Sequence, residues 1–267
     1  RCFSVKRMAL VFPVSRSGYY DWRKNGSKPS SRALKQHSRD MKIKELFEDS
    51  KGRYGATRIQ KDLIEDGSPA AIKTISDSMR RQHLVPKAAK KFKVTTDSDH
   101  QLPIADNLLE RDFSADAPNK KWVQDITYLW TSEGWLYLAV VIDLYSRAVV
   151  GWSMDKRMKA SLVTDALTMA MFRRGMPKGV IVHSDRGSQY CSHAYRDLDR
   201  DHDFKVSMSR KGDCWDNAVA ESFFHSLKVE AIQFEPVMTR AEMRQTVFEY
   251  IDIDYNRKRR HSAIGYT

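Results

Sequence analysis

The sequence predicts an α/β protein, a mixed five-stranded sheet with flanking helices, preceded by an all-α region. The first hundred residues show helical periodicity and carry 23 Lys and Arg against 11 Asp and Glu, whereas residues 101–267 carry 23 of each. From Lys121 the pattern changes to three closely spaced β-rich runs, followed by two apolar runs that alternate with helical segments. These observations predict two parts of different architecture.

Residues 1–26 predict two short helices on either side of the break "FPVS". The Ser15 hydroxyl can accept a backbone amide at the start of the second helix, which opens with Arg16. A helix, a short turn and a second helix outline a helix-turn-helix, whose second helix reads the major groove. An ordinary helical hairpin fits the same pattern equally well. Arg16 is thus a candidate DNA contact.

Residues 32–85 predict a small three-helix DNA-binding domain, with helical runs at 32–51, 56–65 and 73–82. Basic side chains lie along it, and Arg58 is a candidate DNA contact, although a solvated charged face gives the same pattern. Residues 86–119 begin with the basic run "PKAAKKFK" and then lose periodicity. Their Pro, Asp, Ser and Asn content predicts an extended linker.

Residues 120–235 predict the sheet. Its strands are "WVQDITYLW", "WLYLAVVID", "RAVVGWSM", "GVIVHS" and "FKVSMS", with helices expected near 160–174, 193–201 and 217–231. Asn217 is expected to cap the last of these helices. Three antiparallel strands followed by helix, strand, helix, strand and helix is the order of the ribonuclease H-like fold. Residues 236–267 add a C-terminal helix and a basic tail.

Three acids fall where this topology brings separate segments together. Asp125 lies among apolar residues of the first strand, Asp185 follows the fourth strand, which would lie beside the first, and Glu221 is on the helix after the fifth. Any one of them could be a strand-end cap or an exposed carboxylate. Together, like charges at one point favour bound cations. Oxygen ligands without His or Cys favour Mg²⁺ or Mn²⁺, and two such ions can act on a phosphodiester.

Basic residues near these acids are candidate DNA contacts. Lys228 lies two turns after Glu221 on the same helix face. Arg210 and Lys211 precede Gly212 in a loop that we expect to order on DNA. The tail "YNRKRRHS" groups further cations that we expect to contact phosphates. These are Arg257, Arg259 and Arg260.

Whole-chain composition excludes several classes of protein. No run approaches the roughly 18 apolar residues that a membrane helix needs, so no membrane partner is expected. The three cysteines are widely spaced, which predicts thiols in a reducing cytoplasm rather than disulfides. The net charge of +12 lies entirely in the first hundred residues and favours a polyanion partner.

The chain resembles the transposases of the insertion sequence 3 family, and its strand-rich part resembles retroviral integrase cores. The matching strings are "SRSGYYDW", "GRYGATRI", "KWVQDITY", "HSDRGSQY", "MSRKGDCWDNAVAESFFHSLKVE" and "YNRKRRHSAIGY". The resemblance implies that Asp125, Asp185 and Glu221 are catalytic metal ligands, with 35 residues between the last two, and that Lys228 is the family's basic position.

For function, the resemblance implies a bacterial, cytoplasmic transposase that binds double-stranded DNA, both terminal inverted repeats and target. It implies cleavage and strand transfer by a copy-out, paste-in route, in a homodimer or larger assembly on DNA. It further implies a longer fusion form of the same transposase. Two alternatives stay open: a truncated product that occupies element ends as a regulator without catalysis, and a ribonuclease H-type nuclease.

Overall fold

The computed structural model separates the chain into two compact units, Arg1–Pro86 and Lys87–Thr267. The residues that it describes are 4–12, 14–25, 29–87, 105–209, 217–261 and 264–266. The predicted contacts Arg210 and Lys211 therefore lie outside the described residues. Each unit has its own apolar core among these residues.

The first unit begins with two short helices, α1 (Val5–Val11) and α2 (Arg16–Asn25). The Ser15 hydroxyl accepts a hydrogen bond from the Gly18 amide at 3.0 Å, as the sequence predicted for the start of the second helix. No residue of α1 is buried. The pair therefore contributes little to a core, and helix-turn-helix function for residues 1–26 stays a prediction.

A compact three-helix cluster follows, in agreement with the predicted helical runs. Its helices are α3 (Ser31–Asp49), α4 (Ala56–Glu65) and α5 (Ile72–Arg81). They enclose a small apolar core that includes Ile43, Ile59, Leu63, Ile75 and Met79. One carboxylate also joins two of the helices, since Asp40 accepts hydrogen bonds from Ser78 at 2.6 Å and Arg81 at 2.8 Å. Arg81 is thereby occupied within the unit.

The second unit contains the mixed five-stranded sheet, which confirms the predicted fold class. The strands lie in the order β3-β2-β1-β4-β5. The first three are antiparallel neighbours, and β4 and β5 add in parallel on the other side of β1. Their bounds are β1 Lys121–Thr131, β2 Gly134–Asp143, β3 Val149–Asp155, β4 Ile181–Ser184 and β5 Lys205–Met208.

Helices cover both faces of the sheet because strand residues alternate between two apolar sets. Val123 and Leu129 belong to the cluster with α8 and α9, whereas Trp122 and Val141 belong to the cluster with α6 and α7. The helices are α6 (Ala160–Arg173), α7 (His193–Asp201), α8 (Ala218–Leu227) and α9 (Arg240–Phe248). The last two continue as π-helical stretches, Lys228–Ile232 and Glu249–Tyr255.

Close packing of α6 on β3 requires a glycine. A Cβ atom at Gly151 would overlap the backbone oxygen of Ala166 and lie 2.7 Å from the Ala170 amide nitrogen. Only a residue without a side chain allows the helix this approach.

The described part of the predicted linker packs against the sheet. Leu109 is buried in the α8 side of the core. The Ser207 hydroxyl on β5 accepts hydrogen bonds from the Leu108 amide at 2.8 Å and the Leu109 amide at 3.3 Å, and Met208 donates to the Asp106 carbonyl. Residues 106–109 are therefore held against β5, whereas 88–104 lie outside the described residues. The sequence did not predict this docking, because the described segment is mainly polar and Leu109 is its one residue in the buried core.

Two expectations from the whole sequence concern membrane-spanning helices and the cysteines. Within the described ranges, no helix is both long and apolar enough to cross a membrane. Cys191 is buried and carries a free thiol, whose pKa is raised by burial. Cys2 and Cys214 lie outside the described ranges.

A buried acid on α7 has no evident chemical task. Asp199 is 3% exposed, and neither carboxylate oxygen has a hydrogen-bond partner among the described residues. Burial raises its pKa from 3.8 to about 7. Because the folded state binds this proton more tightly than the unfolded state, the acid costs stability as the pH rises from about 4 to about 7.

Asp199→Asn should therefore stabilise the protein at neutral pH. We expect its melting temperature to exceed that of wild type by a margin that widens between pH 4.5 and 7 and then stays constant, with each 1 kcal/mol worth about 2–4 °C. Thermal unfolding across this pH range measures the margin. The exposed Asp165→Asn serves as control and should show no such trend; a pH-independent margin for Asp199→Asn would contradict the assignment.

Candidate active site

Two carboxylates meet at the junction between β1 and β4. The parallel register pairs Val123 with His183. Asp125 lies two residues after Val123 on β1, and Asp185 lies two residues after His183, just past the end of β4 at Ser184. Asp125 is half-buried and accepts a hydrogen bond from the Ile126 amide at 2.8 Å. Asp185 accepts one from the Gly187 amide at 2.9 Å. The strand pairing therefore places the two acids side by side, as the sequence predicted.

The turn after β4 is shaped around Asp185. A Cβ atom at Gly187 would lie 3.0 Å from the Asp185 Oδ1 atom, so glycine lets the turn close on the carboxylate. Arg186 donates from Nε to the Ser209 carbonyl at 2.7 Å, which fixes the turn to the end of β5. The buried Tyr190 donates its amide to the Gly187 carbonyl at 3.0 Å. These bonds hold Asp185 at a defined position.

Glu221 reaches the site from α8. It lies in the first turn of the helix and is exposed, and burial of part of its side chain raises its pKa. The start of α8 is fixed by Asn217, which donates from Nδ2 to the Gln124 carbonyl at 3.1 Å. This bond ties the helix to the strand residue next to Asp125.

Asn217 was predicted to cap α8 with its side chain, and this part of the prediction is wrong. The residue stands at the cap position, but its side chain makes no capping hydrogen bond and instead holds α8 against β1. Local sequence gives no signal of this contact, because its acceptor lies 93 residues earlier in the chain.

Asp125 lies within reach of the charges of the other three predicted site residues. Burial raises the pKa of Asp125 well above its usual value, the charge of Asp185 raises it further, and Glu221 adds a smaller effect in the same direction. The Ile126 amide and the Lys228 ammonium oppose these effects. Burial lowers the pKa of Lys228, and Asp125 acts against that change. The charges of Asp185, Glu221 and Lys228 therefore all act on Asp125.

The carboxylate oxygens of the three acids are ligands of the type that a hard divalent cation prefers. All three acids offer oxygen, and the pKa of Asp125 is raised by burial first and then by the charges of Asp185 and Glu221. Among the described residues, however, no three His, Cys, Asp or Glu side chains are close enough to hold one ion jointly. Shared coordination by Asp125, Asp185 and Glu221 requires the carboxylates to draw closer than they lie here.

His183 belongs to the interior rather than to the acidic site. It is fully buried on β4, and its Nδ1 atom lies 2.8 Å from the Ser207 hydroxyl. That hydroxyl also accepts the backbone amides of Leu108 and Leu109. His183 thus links β4 to β5 and to the docked segment that precedes β1.

The predicted DNA contacts have different surroundings. Arg16 and Arg257 are exposed, and the Arg58 guanidinium lies 5.4 Å from the centre of the Tyr54 ring. Arg260 donates to the Tyr266 carbonyl at 3.0 Å. A cavity of about 260 Å³ lies beside the basic tail. Its lining includes Ser146, Asn256, Arg257, Lys258 and Arg260.

Arg259 is a structural residue, in contrast to the predicted phosphate contact. Its guanidinium donates to both oxygens of Glu230 at 2.8–3.2 Å, and Tyr250 donates to the same carboxylate at 2.9 Å. Neither partner of the ion pair is more than 13% exposed. Bidentate pairing to a buried acid fixes the tail to the helices and leaves this arginine unsuited to a phosphate. A run of four consecutive cations in the sequence cannot reveal which of them is buried against an acid.

Comparison with protein families divides the chain in a corresponding way. An HTH-like domain matches residues 35–92, which places that description on the three-helix cluster rather than on residues 1–26. Two models of an integrase core domain match residues 115–214 and 202–267. The residues of the candidate site fall within these two matches.

Curated relatives match almost the whole chain. Transposase InsF for insertion sequence IS3A of Escherichia coli (strain K12) is 53% identical over 98% of this chain and 91% of its own length. The insertion element IS600 uncharacterized 31 kDa protein of Shigella sonnei is 43% identical over 97% of this chain and 94% of its length.

Solved structures show weaker similarity. A simian T-cell lymphotropic virus intasome, in complex with PP2A regulatory subunit B56 gamma, has a TM-score of 0.44 and 18% identity, over 79% of this chain and 69% of the other. The HTLV-2 integrase catalytic core domain in complex with magnesium (trimeric form) has a TM-score of 0.40 and 16% identity, over 52% of this chain and 90% of the other.

Removing the Asp125 charge should stabilise the metal-free protein. Because its folded pKa is raised, Asp125 costs stability once the pH exceeds about 4, and the cost grows until the carboxylate ionises in the folded state. Asp125→Asn should thus melt above wild type at pH 7 in EDTA, and less so at pH 5. Asp143→Asn is the contrasting control, since Asp143 is fully buried but accepts hydrogen bonds from Ser146 and Arg174, and it should melt lower. If both variants melted below wild type, the expected cost of burying the Asp125 charge would be contradicted.

Asn217 variants distinguish a tie to β1 from a helix cap. Serine caps helices as well as asparagine does, but it cannot reach the Gln124 carbonyl in the same way. We expect Asn217→Ser and Asn217→Ala to lose similar stability, about 1–2 kcal/mol for the broken buried bond, as measured by urea unfolding. Wild-type stability of the serine variant would show that capping is the role of Asn217.

Proposed function

The chain belongs to the transposases of the insertion sequence IS3 family, with an integrase core, and from that premise we propose that it is a polynucleotidyl transferase that cuts and joins DNA at the ends of its element. The observation that carries the proposal is the proximity of three acids: Asp125 on β1, Asp185 directly after the neighbouring β4, and Glu221 on α8. The charges of Asp185 and Glu221 both act on Asp125. Clustered acids of this kind fit chemistry on a phosphodiester.

Asp125, Asp185 and Glu221 would hold Mg²⁺, with Mn²⁺ as a substitute and two ions in all. Such ions supply Lewis-acid activation of the attacking hydroxyl and charge neutralisation at the leaving oxygen. The chain itself orients the acids through the Gly187 turn and the Asn217 bond. Lys228 would contact a phosphate oxygen of the DNA beside the scissile bond, since its ammonium group already interacts with Asp125.

The reaction has two balanced steps at one site. Water attacks a phosphodiester at the element end, the P–O3′ bond breaks, and the strand retains a free 3′-hydroxyl. That hydroxyl then attacks a second phosphodiester, forming one P–O bond as another breaks. No protein nucleophile takes part. The copy-out, paste-in route, in which one end attacks the same strand beside the other end, is the version that membership of this family supports.

Recognition of DNA would involve both units. Residues 1–26 and 32–85 would bind the terminal inverted repeats, followed by a linker at 86–119, the catalytic core at 120–235, and the helix and basic tail at 236–267. The excess positive charge of the first hundred residues supports this division. Exposed Arg16 and Arg257 suit phosphate contacts. Joining two ends in one reaction requires at least a dimer on DNA, and a longer fusion form of the same transposase could supply one partner.

A second candidate function is occupation of element ends without catalysis. It is favoured by the excess positive charge of the first hundred residues, which suits DNA binding without any cation at Asp125, Asp185 and Glu221. A truncated product of this kind would compete with an active transposase for the same repeats.

A cleavage assay with Glu221→Gln separates the two. A labelled duplex ending in the element's inverted repeat is incubated with protein and Mg²⁺ or Mn²⁺. We expect strand cleavage and joining by wild type, and a loss of about 1,000-fold or more in the variant, because a lost cation ligand removes several kcal/mol of transition-state stabilisation. Glu235→Gln, at an exposed glutamate of the same unit, should cleave normally. End binding without cleavage by wild type in either metal would instead support the regulator.

A further inference from the structure

An exposed group of aromatic side chains lies at the far end of the β1–β2 hairpin. Among described strands, β1 pairs with β4 only at Lys121–Val123, but it pairs with β2 as far as Thr131. The rest of the hairpin thus extends beyond the short parallel strands. Tyr128, Trp130 and Trp135, here called the aromatic ridge, lie on this extension.

Ring contacts join the ridge into one surface. Trp130 and Trp135 are direct cross-strand partners, and their ring centres are 4.7 Å apart in an edge-to-face arrangement. Tyr128 meets Trp135 with centres 5.1 Å apart. Trp130 is nevertheless 56% exposed and Trp135 43% exposed. Edge-to-face packing leaves ring faces uncovered, so the ridge presents flat apolar surface to its surroundings.

The ridge is continuous with the candidate active site. Lys228 places its ammonium nitrogen 5.2 Å from the centre of the Tyr128 ring, and the same ammonium group interacts with the charge of Asp125. A second cation borders the other end, since Arg240 donates from Nε to the Trp135 carbonyl at 3.3 Å. The ridge is thus bordered by two cations, Lys228 on the side of Asp125 and Arg240 beside Trp135.

We propose, resting on the proposed function, that the aromatic ridge stacks unpaired DNA bases beside the strand that is cut, with Lys228 and Arg240 near the flanking phosphates. Stacking on aromatic side chains is insensitive to sequence because every base has a flat π-face. A fully paired duplex already stacks its bases internally and offers the ridge little. The ridge therefore favours DNA whose strands have separated next to the site.

Binding without chemistry tests this directly. Full-length Glu221→Gln protein in EDTA is titrated with two probes of equal length, a paired duplex and a forked duplex with four unpaired thymines on one strand. We expect tighter binding of the fork together with quenching of tryptophan fluorescence. Replacing Trp130 and Trp135 by Ala should reduce this preference about 10-fold and leave duplex affinity unchanged, whereas Trp→Phe at both positions should restore most of it.

Phe172→Ala provides the matched control, because Phe172 is an exposed aromatic residue on α6. It should leave the preference for the fork intact. An unchanged preference in the Trp→Ala variant overturns the proposal, as does a change in sedimentation with no change in DNA binding, which would make the ridge a contact between copies of the chain. If the wild type cleaves DNA but shows no preference for the fork, base stacking by the ridge is contradicted and the proposed function stands. If it prefers the fork but does not cleave, base stacking by the ridge stands and the proposed function is contradicted.

Discussion

Three parallel residue pairs between β1 and β4 bring Asp125 and Asp185 close together. They bury Trp122 and Val182 on one face and Val123 on the other, so the apolar core itself enforces the register. A shift by one residue would exchange the two faces of the strand, and such a change would expose the core. Because a slipped register would expose the core, Asp125 and Asp185 remain neighbours, and the position of the candidate site follows from core packing.

Keeping these acids together opposes folding, and the fold compensates locally. Asp143 shows how a buried carboxylate is normally stabilised: its oxygens accept hydrogen bonds from Asn119, Ser146 and Arg174. Asp125, in contrast, accepts a backbone amide and lies near two other acids, with Lys228 as the opposing charge. Burial strengthens repulsion between like charges, and under the proposed function a bound cation would relieve this repulsion at Asp125. The two aspartates therefore differ in how many hydrogen-bond donors balance their charge.

The arginine side chains also fall into two groups, those that pair with acids inside the protein and those exposed at its surface. Arg259 and Arg174 hold buried carboxylates, and Arg81 joins two helices of the first unit. Others, such as Arg257, remain exposed beside the basic cavity. Net charge therefore overstates the surface available to DNA, and the contribution of each arginine depends on whether an acid lies within reach. The aromatic ridge adds a different kind of surface, since two exposed tryptophans carry no charge and suit flat apolar groups.

The sequence by itself determined the five strands, their order and the identity of the interacting acids. Period-two alternation, apolar runs and turn residues are local signals, and the positions of Asp125, Asp185 and Glu221 in those elements follow from them. Tertiary structure alone decided the bond of Asn217 to Gln124, the burial of Arg259 and the docking of Leu109 against the sheet. Each of these depends on a partner more than 25 residues away in the chain, or on burial created by several elements at once. Local patterns cannot encode such contacts, because the same residue types occur equally well in caps, charge runs and linkers.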